Sequence, residues 1–285
     1  MAKFSLVTAC RNSRPYIEET VESVLSQSVF RSGQHELEYV IRDGDSTDGT
    51  REILQRYEGR GVRVVSEPDA GFYDALGKGL QSVTGDYVAY LNAGDYLHPH
   101  GLSVAAECFE LSGVDWLTGY AVTYNERSQV TRTTLPFRFR RVLFECGAYG
   151  ALLPALQQES TVWRRSLHAT VDFDFLKRLR YAGDGYLWKC FATVSEPVVA
   201  RAQIGGFRIH RGQISGVLAE YRRELASFCR RPSTGERLQC MIDRLLWAMP
   251  ERVRGVLAGD ARLILYDHGG QGWRRTSYRE AYRYR

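Results

Sequence analysis

Three short stretches place carboxylates where a ligand can be held. Ile41-Arg42-Asp43-Gly44-Asp45-Ser46-Thr47-Asp48-Gly49-Thr50 follows an apolar run and leads into helix-forming residues. Glu67-Pro68-Asp69-Ala70-Gly71 and Asn92-Ala93-Gly94-Asp95 each follow a further apolar run. In open α/β sheets ligands sit beyond the carboxyl ends of the strands. Three neighbouring strands ending in Asp43, Asp69 and Asp95 would form one acidic cleft. Such carboxylates accept hydrogen bonds from base N–H groups and ribose hydroxyls, and they hold a hard cation such as Mg2+ or Mn2+. A capped turn with no ligand is the plain rival for the first stretch, since Ser46, Thr47 and Asp48 are all good helix N-caps. A calcium loop fails there, because its sixth position is Asp48 instead of Gly and its twelfth is Leu54 instead of Glu. The turn after the first strand, Thr8 to Pro15, lacks GxGxxG, and no GxxxxGK(S/T) loop exists.

The elements that must position these residues alternate. Strands are expected at 4–8, 38–43, 62–65 and 87–91, with helices at 16–27, 48–57 and 73–83. That rhythm predicts a mainly parallel sheet with right-handed crossovers. After Asp95 it changes. A helix is expected over 100–111, then a hairpin or two edge strands from 116–124 and 129–134. Residues 137–154 are expected to form a loop or short helix over the site. A short strand at 161–163 and helices at 173–181 and 187–192 follow. From Val217 the pattern is helical. Leu238, Met241, Ile242, Leu245, Leu246 and Met249 recur at helical spacing, which favours a packing face. Gln271 to Arg285 is polar, aromatic and basic, and is expected to be poorly ordered.

The chain has 285 residues, 44% hydrophobic and 25% charged, enough for a sizeable core. No apolar run reaches a membrane span. A strand-like run begins within the first residues and leaves no room for a signal peptide. The six cysteines form no CxxC pair, which fits a reduced, cytoplasmic setting better than zinc or a disulfide framework. Residues 201–285 hold 17 Arg against 8 acids, whereas residues 1–200 hold 21 Lys and Arg against 25 acids. The last third is therefore the part expected to meet an anionic membrane surface or a lipid-linked acceptor, with Arg222, Arg223, Arg230, Arg231, Arg237 and Arg244 in contact. A solvated helical face is the alternative. No nucleic-acid partner is expected.

Several motifs, taken in order, carry a resemblance. They are Thr8…Asn12, the 43–50 stretch, Asp69 to Ala75 with Lys78-Gly79, and Gly85 to Asp95. Further on come Gln158 to Arg165, Ala182 to Trp188, and Phe207 to Ser215. Together they resemble family 2 glycosyltransferases over roughly residues 3–216. The resemblance implies a GT-A fold in domain 1–216, with 217–285 as a basic helical extension. It also implies transfer of one sugar, with inversion, from a nucleotide-sugar donor, UDP-linked, to a glycan or lipid-linked glycan in surface polysaccharide synthesis. By match of position, Asp43 reads the base, Thr8 and the neighbouring Asn12 turn flank base and ribose, Asp69 lies against the nucleoside, and Lys78 belongs to the donor motif. Asp95 binds the metal, Asp184 is the general base, and His210 reaches the metal or diphosphate.

Glu159, just before a strand expected to line the cleft, is a rival base, and Gln158 beside it faces the acceptor side. Trp163 and Trp188 suit the core more than the acceptor surface, although aromatic faces do match sugar C–H groups. The chain also departs from the family pattern. Asn92-Ala93-Gly94-Asp95 stands where relatives carry Asp-x-Asp-Asp, leaving Asp95 as the strong metal ligand. Gly77 stands where relatives have Asn, and Tyr186 where many have a second Asp. A Q-x-x-R-W signature is absent, which favours single-sugar addition. A non-catalytic nucleotide-sugar-binding protein that kept the fold is the alternative, supported by Asn92 and Gly94.

Overall fold

The computed structural model describes residues 1–209, 218–257 and 262–283. His210 and the boundary expected at 216/217 lie outside the described residues. Strands β1 (Lys3–Cys10), β2 (Glu36–Asp43), β3 (Val62–Ser66) and β4 (Tyr87–Asn92) run parallel. Helices α1 (Ile17–Leu25), α2 (Ser28–Arg31), α3 (Thr50–Gln55) and α4 (Phe72–Ser82) connect them. β1 is buried along nearly its whole length, as a strand covered on both faces must be. Its register pairs Cys10 with Asp43 and Ala9 with Asn92, and Asp43 in turn pairs with Ser66. The acidic strand ends therefore gather along one edge of the sheet.

The next segments are β5 (Tyr96–Leu97), α5 (Gly101–Phe109), β6 (Trp116–Thr118), β7 (Ala121–Tyr124), β8 (Val130–Thr134), α6 (Arg141–Glu145) and β9 (Thr161–Arg164). They are followed by α7 (Phe173–Leu176), α8 (Gly183–Phe191), β10 (Val198–Ala200) and β11 (Gly205–Arg208). The last described elements are α9 (Leu218–Phe228), α10 (Thr234–Ala248), α11 (Glu251–Leu257), β12 (Arg262–Asp267), β13 (Gly272–Ser277) and α12 (Tyr278–Arg283). The main sheet has the order β13-β12-β10-β6-β9-β4-β1-β2-β3, and β5-β11-β7-β8 form a smaller second sheet. In the main sheet β9 and β13 run antiparallel to their neighbours.

Several expectations need correction. The strand read over 116–124 is two strands in different sheets. The switch comes at Gly119, where an added Cβ would sit 2.4 Å from the Ala202 carbonyl oxygen, so only glycine lets the chain turn that closely. The helix read over 173–181 stops at Leu176. The 137–154 stretch does hold a short helix, α6, as expected, but much of it is interior: Phe137, Phe139, Phe144 and Tyr149 are buried. Their apolar surface decides, not the arginines between them.

The segment after 217 is not helical throughout. β12 pairs in parallel with β10, and β13 closes the sheet's edge against β12. The 271–285 stretch, expected to lack order, contributes β13 and α12 up to residue 283. Leu263 and Ile264, two fully buried residues in a basic stretch, anchor β12. α10 is tied down through Asp243, which is fully buried and accepts from Arg140 Nε at 2.8 Å and Nη2 at 3.0 Å. Ser233 and Glu236 close a capping box at its start.

Candidate active site

The loop after β2 is built from its own polar side chains. Asp43 is buried, and its carboxylate accepts from the Ser46 hydroxyl, from the Ser46 N–H at 3.1 Å and from the Ser66 hydroxyl at 2.6 Å. Both oxygens are thus engaged in shaping the loop. Asn12, at φ 51°, ties this loop to the one after β1: its side-chain Oδ1 accepts from Thr47 N–H at 2.9 Å, and its backbone N–H donates to Ser46 Oγ at 2.8 Å. Asp48 holds the same junction by accepting from Arg14 N–H at 3.0 Å. Asp69 closes over it. A Cβ on Gly44 would lie 2.2 Å from Asp69 Oδ2, so the glycine is what lets that carboxylate approach. Asn12, Asp43 and Asp69 are therefore brought together as expected.

Thr8 is not on this surface. Its side chain is fully buried beneath the sheet and shares a 2.9 Å hydrogen bond with the Tyr39 hydroxyl, so its expected contact with a nucleotide is corrected. Lys78 lies on α4, ion-paired with Asp74 at 2.9 Å and Glu67 at 3.4 Å.

Further along the same edge is a buried acidic cluster. Asp95 Oδ1 accepts from the Arg208 N–H at 3.0 Å. Glu159, in the short 3-10 turn Gln158–Ser160, lies beside Asp95, and Gln158 donates to its carboxylate. Burial first, and the neighbouring Glu159 second, hold the Asp95 carboxyl well above the usual range, and burial raises Glu159 as well. Two adjacent buried carboxylates must share a proton, or take a cation between them if both are to stay ionised. Asp95 Oδ2, Asn92 Oδ1 and Gln158 Oε1 have no hydrogen-bond partner among the described residues. These are hard oxygens of the kind a divalent cation takes, although among the described residues no three His, Cys, Asp or Glu side chains group as a metal site.

Asp184 stands in the first turn of α8. Its carboxylate accepts from the Tyr73 hydroxyl at 3.4 Å and the Tyr221 hydroxyl at 3.5 Å. Burial pushes its pKa up to about 6, against the Gly185 N–H and the two tyrosines, which pull it down. Gly183 makes this arrangement possible, since a Cβ there would strike the Tyr73 ring at 2.3 Å. Glu224, from α9, accepts from the N–H groups of Arg180, Tyr181 and Ala182 at 2.6–2.8 Å and fixes the approach to the helix.

Sequence reasoning missed Tyr73, Tyr221, Glu224 and Arg208. Gly183 and the Tyr221/Leu225 spacing were the available signals for the first two. Arg208 is a fully buried guanidinium between the rings of Tyr16 and Tyr96, and it also donates to Glu19 and to the Gly94 carbonyl oxygen. Trp163 and Trp188 belong to the core: both are buried among Trp116 and Phe191. Their role as acceptor platforms is corrected, because no sugar face can reach either ring.

The profile described as glycosyl transferase family 2 matches residues 5–150. The chain belongs to that family. The match takes in Asp43, Asp69 and Asp95 and ends before Glu159 and Asp184. A putative teichuronic acid biosynthesis glycosyltransferase of Bacillus subtilis is 39% identical over 122 residues, covering 41% of this chain and 46% of that protein. An uncharacterised glycosyltransferase of Mycobacterium tuberculosis is 28% identical over 244 residues, covering 82% of this chain and 87% of that one. The chain spans under half the length of the first curated relatives it matches, 46% and 34%. Among solved structures, Staphylococcus aureus TarS 1-349 in complex with UDP shares the fold at TM-score 0.59 and 19% identity, over 90% of this chain and 83% of that one. The GT-A fold expected from the motifs is the fold observed.

Proposed function

We propose that this family 2 glycosyltransferase moves one sugar from a nucleotide-sugar donor, UDP-linked, to a hydroxyl group of a glycan or lipid-linked glycan, with inversion at the anomeric carbon. The UDP and UDP-GlcNAc complexes of TarS and the teichuronic acid relative support the donor class and a setting in surface polysaccharide synthesis. The observation that carries the reading is Asp184, a carboxylate with a pKa of about 6 at the carboxyl edge of the sheet, held by two tyrosine hydroxyls. A base of that pKa is largely ionised at neutral pH and still able to take a proton.

The acceptor hydroxyl gives its proton to Asp184 as its oxygen bonds the anomeric carbon. The bond from that carbon to the diphosphate breaks on the opposite face. Asp69 and the Asn12–Thr47 junction would receive the nucleoside. Asp43 meets the base only where Ser66 releases its hydrogen bond. Asp95 and Glu159, with the amide oxygens of Asn92 and Gln158, would hold Mg2+ or Mn2+. When bound, that cation supplies positive charge against the leaving diphosphate.

Asp184→Asn is the test. Turnover should fall by about 10^2–10^4-fold, the usual worth of a general base, while UDP affinity by calorimetry stays within twofold. Unchanged turnover would remove Asp184 from the role and pass it to Glu159. Wild-type protein that binds UDP yet neither transfers nor hydrolyses any nucleotide sugar in a broad panel would favour the non-catalytic alternative.

A further inference from the structure

Helix α10 is apolar on the wrong side. Leu238, Met241, Ile242 and Leu245, at i, i+3, i+4 and i+7, are 58%, 65%, 45% and 64% exposed. The face turned to the protein instead carries the buried Cys240 and Asp243, with Gln239 donating to Asp243. A stripe expected to pack inward thus faces outward. Isolated exposed leucines are ordinary, but four on one helical face are not.

The charges around this stripe are sorted. Of the five acids between 218 and 257, four are turned to partners within the protein. Glu224 takes three backbone N–H groups, and Glu236 pairs with Arg230. Asp243 pairs with Arg140, and Glu251 with Arg201. Arg222, Arg223, Arg231, Arg237 and Arg244 are exposed, and none is ion-paired among the described residues. On the helix, Arg237 and Arg244 fall along one edge of the apolar stripe. Apolar side chains bordered by unpaired arginines match the acyl boundary and phosphate layer of an anionic bilayer. A second copy of the chain would bring the same arginines against one another.

We propose that α10 lies flat on an anionic phospholipid surface, with Leu238, Met241, Ile242 and Leu245 inserted between acyl chains and Arg237 and Arg244 on the headgroup phosphates. No described helix is long and apolar enough to cross a membrane, so this is attachment at the surface. The stripe lies beyond the residues that the family profile matches and touches none of the carboxylates proposed for transfer. The inference therefore stands or falls apart from the proposed reaction.

The experiment is sedimentation of the full chain with vesicles of phosphatidylcholine alone or with 30 mol% phosphatidylglycerol, at low and high salt. Wild-type protein should partition onto the anionic vesicles at least tenfold more than onto neutral ones, and salt should weaken the binding. The triple variant Leu238→Ser, Met241→Ser, Leu245→Ser should lose at least tenfold of that partitioning, with its melting temperature held or raised because the residues are exposed. Arg237→Glu with Arg244→Glu should remove the preference for anionic lipid. Wild-type protein that stays in the supernatant with anionic vesicles at low salt would overturn the inference. So would light scattering that shows a dimer broken by the serine variant, since the stripe would then be a self-association surface.

Discussion

Tyr221→Phe tests how the structure sets Asp184. The ring packs closely over Gly150 and Gly185, and phenylalanine keeps that packing. Only the hydroxyl that donates to Asp184 at 3.5 Å is lost. A hydrogen bond to a charged group contributes about 1.5–3 kcal/mol, and this one is long, so the low end applies. One pKa unit corresponds to about 1.4 kcal/mol, so Asp184 should rise by about one unit from its value near 6. The acid limb of the rate profile should then move from about pH 6 to about pH 7. At pH 6.5 the ionised fraction falls about threefold, and at pH 8.5 the two enzymes should turn over alike. Stability gives a second reading. The folded pKa of Asp184 lies above that of an unfolded aspartate, so its contribution is fully present at pH below about 4 and is lost as pH rises through about 6. Raising that pKa further should make the variant's loss of stability larger at pH 8 than at pH 5, by about 1.3 kcal/mol. The assay is turnover from pH 5 to 9 with chemical denaturation at both ends. A uniform fall in turnover with the limb unmoved would refute the assignment of Tyr221 to the base.

Two further outcomes follow from the same geometry. Asp95→Ala should abolish any gain in UDP affinity that Mn2+ produces in calorimetry, while metal-free affinity changes little; an unchanged metal response would move the diphosphate site to basic residues. Asp243→Ala leaves Arg140 half-buried beside an empty place and should lower unfolding stability by about 3–5 kcal/mol, read by denaturant titration.

The gathering of the acidic strand ends was legible in the sequence because its signals are local. Each strand end carries its acid within a few residues of an apolar run, and parallel pairing then aligns the ends by register alone. The Asp184 environment was not legible, since Tyr73 and Tyr221 meet across 148 residues of chain and only Gly183 hints at the contact. β12 escaped because two buried residues in an arginine-rich stretch are a weak strand signal. The direction of the α10 stripe could not be read either. Periodicity reports that a helix has an apolar face, and tertiary contacts decide which way it turns. Here Asp243, one buried acid paired to Arg140, turns it outward.

The family profile ends at residue 150, yet the proposed base is completed by α9, from residues 218–228. Tyr221 reaches the carboxylate, while three residues on Glu224 holds the backbone that leads into α8. These contacts make α9 part of the frame around Asp184. α9 is followed at once by α10, whose apolar stripe is proposed to meet lipid. Chemistry and attachment are thus adjacent along the chain, an arrangement that suits an acceptor presented at a membrane surface.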